Sequence, residues 1–250
     1  MIIPKKLDTQ KVVFLVKAIS LALLALGLLY SCQTAFNGPE DWVLRIDIEA
    51  GDEWTHPYPV LGFITRPNYP TFALWLSDEE NNFLETVFVT AKIGKAKWIM
   101  ADDSRPEALP LWSKTRGGQP ESANPETDAV CGATPKGSHS YGLPQANLPE
   151  RMYVWLEINH SVDYNDYYAA DIQDPGDPYY SGGKGGSGQP ALVYRAYVDR
   201  SAPAGTKIYF ELMGHSQPGG SWQGTDYYEG GTDSLSTALQ IIQSAVLTLR

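Results

Sequence analysis

The sequence predicts an all-β protein, an immunoglobulin-like antiparallel β-sandwich with long loops and one or two short helices. Three observations carry that prediction. Short runs alternate apolar with polar residues, as strands with one wet face do. Gly, Pro, Asn and Asp gather at nearly every junction between runs. Aromatic usage is skewed, with 15 Tyr and 7 Trp against 7 Phe, and such rings suit pleated, half-buried surfaces.

The runs follow in order. Residues 42–49 place Trp42, Leu44, Ile46 and Ile48 on one face and Arg45, Asp47 and Glu49 on the other. Residues 50–70 hold Pro57, Pro59, Pro67 and Pro70 and read as irregular chain with a short apolar insert. Runs 71–76 and 83–91 are strands joined by the hairpin loop Asp78-Glu79-Glu80-Asn81-Asn82. Ser104-Arg105-Pro106-Glu107 has capping-box spacing with Pro at the first helical position, and Pro110 limits that helix to about one turn. Trp98 and Trp112 flank it. Residues 116–142 are rich in Gly, Pro, Ser and Asn and read as loop. Runs 152–158, 191–198 and 206–213 are three more alternating strands, the last two joined by the turn-like run 199–205. Asp233 or Ser234 caps a short helix over 235–244, and 245–249 is a final strand. With no internal repeat and no clean linker, residues 41–250 read as one domain.

Residues 1–31 are of a different kind. The positive charges lie in residues 1–17, and residues 18–31 are apolar without a charge. That apolar stretch is shorter than the roughly 20 residues of a membrane helix and fits the core of a secretory signal. Leu29, Ser31 and Cys32 resemble the bacterial lipobox, in which the Cys is lipidated and becomes the new N-terminus. The expectation is a signal peptide over 1–31, a lipidated Cys32 and a tether over 32–40. Gln33 follows the Cys, where Asp would signal inner-membrane retention. Several acyl chains on one residue give durable membrane anchoring. Once Cys32 is acylated, Cys131 has no disulfide partner, so the core must hold the fold.

Charge excludes some partners. The 250 residues carry a formal net charge of −10, and the first 31 hold four lysines and one aspartate, so the remainder is more negative still. Nucleic-acid binding needs clustered positive charge, and so does docking on anionic lipid through a basic face. Hydrophobic content of 43% is ample for a packed core.

Several motifs suggest chemistry. Gly214-His215-Ser216-Gln217-Pro218 looks like the nucleophile elbow of α/β-hydrolases. Pro218 stands where the second Gly should be, and no His follows His215, so the triad is incomplete. Gly182-Gly183-Lys184-Gly185-Gly186-Ser187-Gly188 lacks P-loop spacing and reads as a flexible loop. Asp163, Asp166, Asp171, Asp174 and Asp177, with Asn165, offer oxygen ligands for Ca²⁺ or form a solvated acidic loop. His160 and His215 each follow a predicted strand. They would hold a transition metal if those ends converge, with His139 or Cys131 near, together with Asp171 and Asp174 as acidic ligands. The sequence requires no cofactor. Three Tyr doublets, Tyr167-Tyr168, Tyr179-Tyr180 and Tyr227-Tyr228, stack on a sugar or a planar ring if exposed, or fold back as lids. The candidate ligand-binding set is Asp163, Asn165, Asp166, Tyr167, Tyr168 and Gln189.

Four stretches taken together, 71–89, 98–116, 159–168 and 188–194, resemble the uncharacterised periplasmic proteins grouped as domain of unknown function 2271. The most specific pieces are Ser161-Val162-Asp163-Tyr164-Asn165-Asp166-Tyr167-Tyr168 and Gly188-Gln189-Pro190-Ala191-Leu192-Val193-Tyr194. The resemblance covers about residues 41–250. It implies an exported β-rich domain, often associated with envelope redox and flavin-transfer systems, and supplies no catalytic residues.

The expectation is therefore a lipid-anchored, exported binding or accessory protein of the bacterial cell envelope, facing the periplasm or the outer surface, with envelope proteins as partners. Polar and aromatic residues concentrate in loops without a complete catalytic set, which weighs against an enzyme. The alternatives are a metal- or cofactor-binding redox component and a carbohydrate-binding module. The anchor is directly testable: Cys32→Ala moves the protein from the membrane to the soluble fraction, and retention in the membrane would refute lipidation.

Overall fold

Alternation becomes two faces in the computed structural model, which describes residues 35–37, 42–61, 64–94, 107–117, 131–144, 148–216, 227–229 and 231–250. The expected signal peptide over 1–31, Cys32, most of the expected tether, Trp98, Ser104-Arg105-Pro106 and the side chains of Cys131, Tyr227 and Tyr228 lie outside what is described. Residues 36–250 form one compact unit.

The strands are β1 (Ala35–Asn37), β2 (Trp42–Ala50), β3 (His56–Leu61), β4 (Ile64–Asn68), β5 (Thr71–Ser77), β6 (Phe83–Thr90), β7 (Cys131–Gly132), β8 (His139–Pro144), β9 (Arg151–Asn159), β10 (Leu192–Asp199), β11 (Lys207–Tyr209), β12 (Glu211–Ser216), β13 (Tyr227–Glu229) and β14 (Ile242–Leu249). They make a five-stranded sheet in the order β1-β8-β2-β14-β11 and a seven-stranded sheet in the order β13-β12-β10-β9-β5-β6-β7, with β3 and β4 a separate hairpin. Pairing is antiparallel around β2, β5, β9, β10 and β14, while β6 runs parallel to β7. The chain is an antiparallel β-sandwich, as its alternation predicts.

The main core draws on both sheets. Leu44, Ile46 and Ile48 of β2 and Leu247 and Leu249 of β14 join Phe72, Leu74 and Leu76 of β5 and Met152, Leu156 and Ile158 of β9. Each such side chain contributes about 1.5–3 kcal/mol when fully buried. Strand β5 is buried at every residue, because its other face is covered too. There Ala73 and Trp75 meet Trp155, Val193, Val89 and the segment Leu109, Leu111 and Trp112. Trp75 and Trp155 stack at 5.8 Å with their planes 5° apart.

Two helices are short: α1 (Ala91–Gly94) and α2 (Pro110–Thr115). Pro110 does not end a helix, as its position after the capping box predicts. It begins α2, where a missing N–H costs nothing. The residue before it, Leu109, has no side chain able to cap. Glu157 of β9 takes that role from across the sheet. Its two carboxylate oxygens accept from Leu111 N at 3.1 Å and Trp112 N at 2.8 Å, and Ser216 Oγ donates to it at 3.1 Å. Burial lifts this carboxyl to about 7, against the pull of those three donors.

Other boundaries also move. Residues 50–70 include the β3–β4 hairpin, and β8 emerges from the end of the expected loop 116–142. The run 206–213 is split at Phe210, so that β11 belongs to one sheet and β12 to the other. The helix over 235–244 shrinks to a 3-10 turn, Thr237–Gln240, and β14 starts at Ile242.

Glu157 sets a pH dependence. Its folded pKa lies above the ordinary carboxylate value, so the folded state holds the proton more tightly, and this contribution is full at low pH and lost as pH rises to about 7. In Glu157→Gln the contribution is absent. Urea unfolding at pH 5 and pH 8 should show wild type losing on the order of 3 kcal/mol relative to the variant over that interval. Parallel pH profiles would show that Glu157 does not titrate there.

Candidate functional site

The segment between β9 and β10, residues 160–191, has no regular secondary structure of its own yet is closely bonded. Asp163 and Gly188 form a parallel bridge. Val162 N donates to Gly186 O at 2.9 Å, Asp163 N to Ser187 O at 3.1 Å and Gln189 N to Asp163 O at 2.8 Å. Gly188 is required here: its φ is +76°, and a Cβ would lie 2.3 Å from Asp163 O. Val162 has φ 61°, a strained setting for a β-branched residue that the surrounding bonds hold in place.

The glycine-rich run, read from sequence as a flexible loop, is hydrogen-bonded and packed against its neighbours. Tyr164 Oη donates to Gly183 O at 2.9 Å and accepts from Gly185 N at 2.7 Å. Gly182 packs so closely on Glu107 that a Cβ would sit 2.7 Å from its carboxylate oxygen. The run folds around the protein's own groups.

A polar network fixes the segment to the turn before β14. Thr237 Oγ1 donates to Asp163 at 2.6 Å, Gln189 Nε2 donates to Thr237 Oγ1 at 2.5 Å, and Ser236 N donates to Gln189 Oε1 at 2.6 Å. Asn159 Nδ2 donates to the Gln189 carbonyl at 2.9 Å. Burial raises the Asp163 pKa, while Thr237, the nearby His56 and Gln189 oppose that rise. His56 itself lies 3.4 Å from the Glu53 carboxylate.

The predicted ligand-binding residues therefore divide. Asn165 Oδ1 accepts from Tyr167 N at 3.0 Å and Tyr168 N at 2.8 Å, and its Nδ2 donates to Ser234 O at 2.8 Å. Tyr168 is 1% exposed, packs in the main core, and its hydroxyl meets Ser234 Oγ at 3.1 Å. Asp163, Asn165, Tyr168 and Gln189 build the segment, because their polar groups are taken up by the chain itself. Asp166 and Tyr167 remain outside. Tyr167 is 48% exposed and Tyr179 37%, their rings 5.5 Å apart, with Tyr179 edge-on to buried Tyr168.

The metal ligands read from the sequence do not come together. His160 has Nε2 on Trp54 O at 3.2 Å and Nδ1 facing Asn68 Nδ2 at 3.4 Å, which assigns the proton to Nε2. His215 Nδ1 lies 2.8 Å from Ser216 O. His160 follows directly on β9 and His215 lies on β12, and β10 runs between those two strands, pairing with both. His139 is on the other sheet, within the aromatic core, with Nδ1 3.0 Å from Gly137 O, and burial pushes its pKa down. Asp171 is exposed, and Asp174 turns back to accept from Gly176 N at 2.9 Å. Among the described residues, no three His, Cys, Asp or Glu side chains are grouped to hold a metal. The hydroxyl of the elbow serine, Ser216, lies 3.1 Å from both Glu157 Oε1 and Ala191 O, its one proton shared between the two acceptors. It has no imidazole partner among the described residues.

Sequence reasoning passed over Glu157, Thr237 and His56. Only Glu157 left a signal, as the one acid inside an apolar run.

Gly188→Ala should destabilise the fold by about 2 kcal/mol or more, since the new Cβ meets backbone and the backbone is left-handed. Hydrogen exchange at the amides of Asp163 and Gln189 would accelerate, and unchanged exchange would show that the bridge does not hold the segment. No family model, curated protein or solved structure matches the chain, so the site rests on its own geometry.

Proposed function

We propose that this chain is a lipid-anchored, exported binding protein of a bacterial cell envelope, and that its ligand or partner meets Asp166, Tyr167 and Tyr179. One observation carries the site: two exposed tyrosine rings stand together on a segment whose Asp163, Asn165 and Gln189 side chains are consumed in bonding it to the sandwich. A rigid scaffold presenting exposed aromatics loses little entropy on binding. The lipobox-like sequence supports the anchor. The resemblance to exported proteins of envelope redox and flavin-linked systems supports a role as accessory to such a system. The same ring faces favour carbohydrate as a second reading, because sugars stack on tyrosine. The metal-bound redox alternative draws no support from the placement of His160 and His215.

The test places a photo-crosslinking amino acid at Tyr167 in the full lipidated chain in whole cells. We expect a discrete adduct with an envelope component, reduced about tenfold by Tyr179→Ala. The same label at Tyr209, on β11 and 65% exposed, should not give that adduct. Identical adducts from both positions, or none from Tyr167, would remove the segment from consideration as the binding site.

A further inference from the structure

The outer face of the seven-stranded sheet changes character along its length. Around Trp75, Trp112 and Val193 it is covered by α2 and the residues before it. Toward Tyr153 and Tyr197 it opens. Tyr153 is half-buried and Tyr197 is 41% exposed, their rings 5.3 Å apart on directly paired positions of β9 and β10. Tyr197 Oη donates to Glu79 Oε1 at 3.0 Å, which fixes that ring.

Arg195 lies in the middle of this face. It pairs across the sheet with Trp155, and its guanidinium lies 4.5 Å from the Tyr153 ring centre and 5.2 Å from that of Trp155. Glu211 stands opposite on β12 but forms no ion pair with it. Among the described residues, the Arg195 guanidinium makes neither a hydrogen bond nor an ion pair. A planar fork of five donors is thus held over aromatic rings, its charge without an ion-pair partner among the described residues, on a half-buried site in an acidic protein.

We propose that this face is a second binding site, taking a sugar of the uronic-acid type. The sugar carboxylate meets the Arg195 fork, and the sugar ring stacks on Tyr153 and Tyr197. Paired N–H donors match a carboxylate bidentately, and partial burial strengthens the bond. Glu79 and Glu211 at the rim accept hydroxyls and, with the Asp199 carboxylate that pairs with Arg151, repel dense polyanions, so a ligand with one carboxylate and many hydroxyls fits best. Acidic peptides share the carboxylate but lack the hydroxyls that rim would hold.

The test is titration of the full chain in detergent with a glucuronic-acid-terminated disaccharide and with its neutral glucose counterpart, read by tryptophan fluorescence and calorimetry. The acidic sugar should bind at least tenfold tighter, an advantage that 0.5 M salt reduces and Arg195→Gln abolishes. Arg195→Lys, with charge but no fork, should fall between. Comparing the two sugars on wild type needs no variant to fold. Tyr167→Ala with Tyr179→Ala should leave this binding unchanged, which separates it from the site proposed above. Equal affinity for both sugars, binding of neither, an unaffected Arg195→Gln, or tighter binding of a glutamate-containing peptide would each overturn the proposal.

Discussion

The centre of the seven-stranded sheet is buried on both faces, and the rest of the structure follows from how that burial is achieved. One face is covered by the second sheet. The other is covered by a short helix that cannot cap itself, because Leu109 precedes it and Pro110 opens it. Glu157 supplies the missing acceptor from the sheet beneath. A buried carboxylate is expensive, and removing an acceptor from buried N–H donors is expensive as well. The arrangement works only while both halves are present, and it ties the outer layer to the strand that leads into the candidate binding segment.

That segment solves a related difficulty by different means. About thirty residues without strand or helix must still satisfy their backbone groups where they run against the sandwich. Bridge bonds to the glycine-rich run, the Asp163–Thr237–Gln189 network and the Asn165 turn do this. Strain at Val162 and a left-handed Gly188 accompany the solution. The polar side chains that look most ligand-like are those most needed internally, and the exposed pair Tyr167 and Tyr179, with Asp166 beside them, is the aromatic surface the segment offers outward. Arg195 presents the reverse case, a cation held over the chain's own rings whose donors meet no acceptor among the described residues.

Alternating strands were legible because their faces are set locally. Leu44, Ile46 and Ile48 had to point one way and Arg45 and Asp47 the other. The fully buried β5 was legible as a strand but not as a doubly covered one, since nothing in Thr71–Ser77 names the layer that lies above it. The 3-10 turn at Thr237–Gln240 and the split at Phe210 were not legible, because each depends on where the chain passes between sheets. The metal reading of His160 and His215 was plausible from strand ends alone, and the intervening β10 keeps them apart.

Residue order by itself determined the fold class, the inward faces of the strands and the segment where irregular, polar chemistry concentrates. These depend on side-chain period and turn chemistry, which act over a few residues. Tertiary structure alone decided which polar groups are spent and which are presented. Thr237 lies 74 residues from Asp163, Glu157 caps a helix 45 residues earlier, and Tyr197 reaches Glu79 across 118 residues. Hydrogen-bond partners at such separations are chosen by strand order and register, which no local pattern encodes.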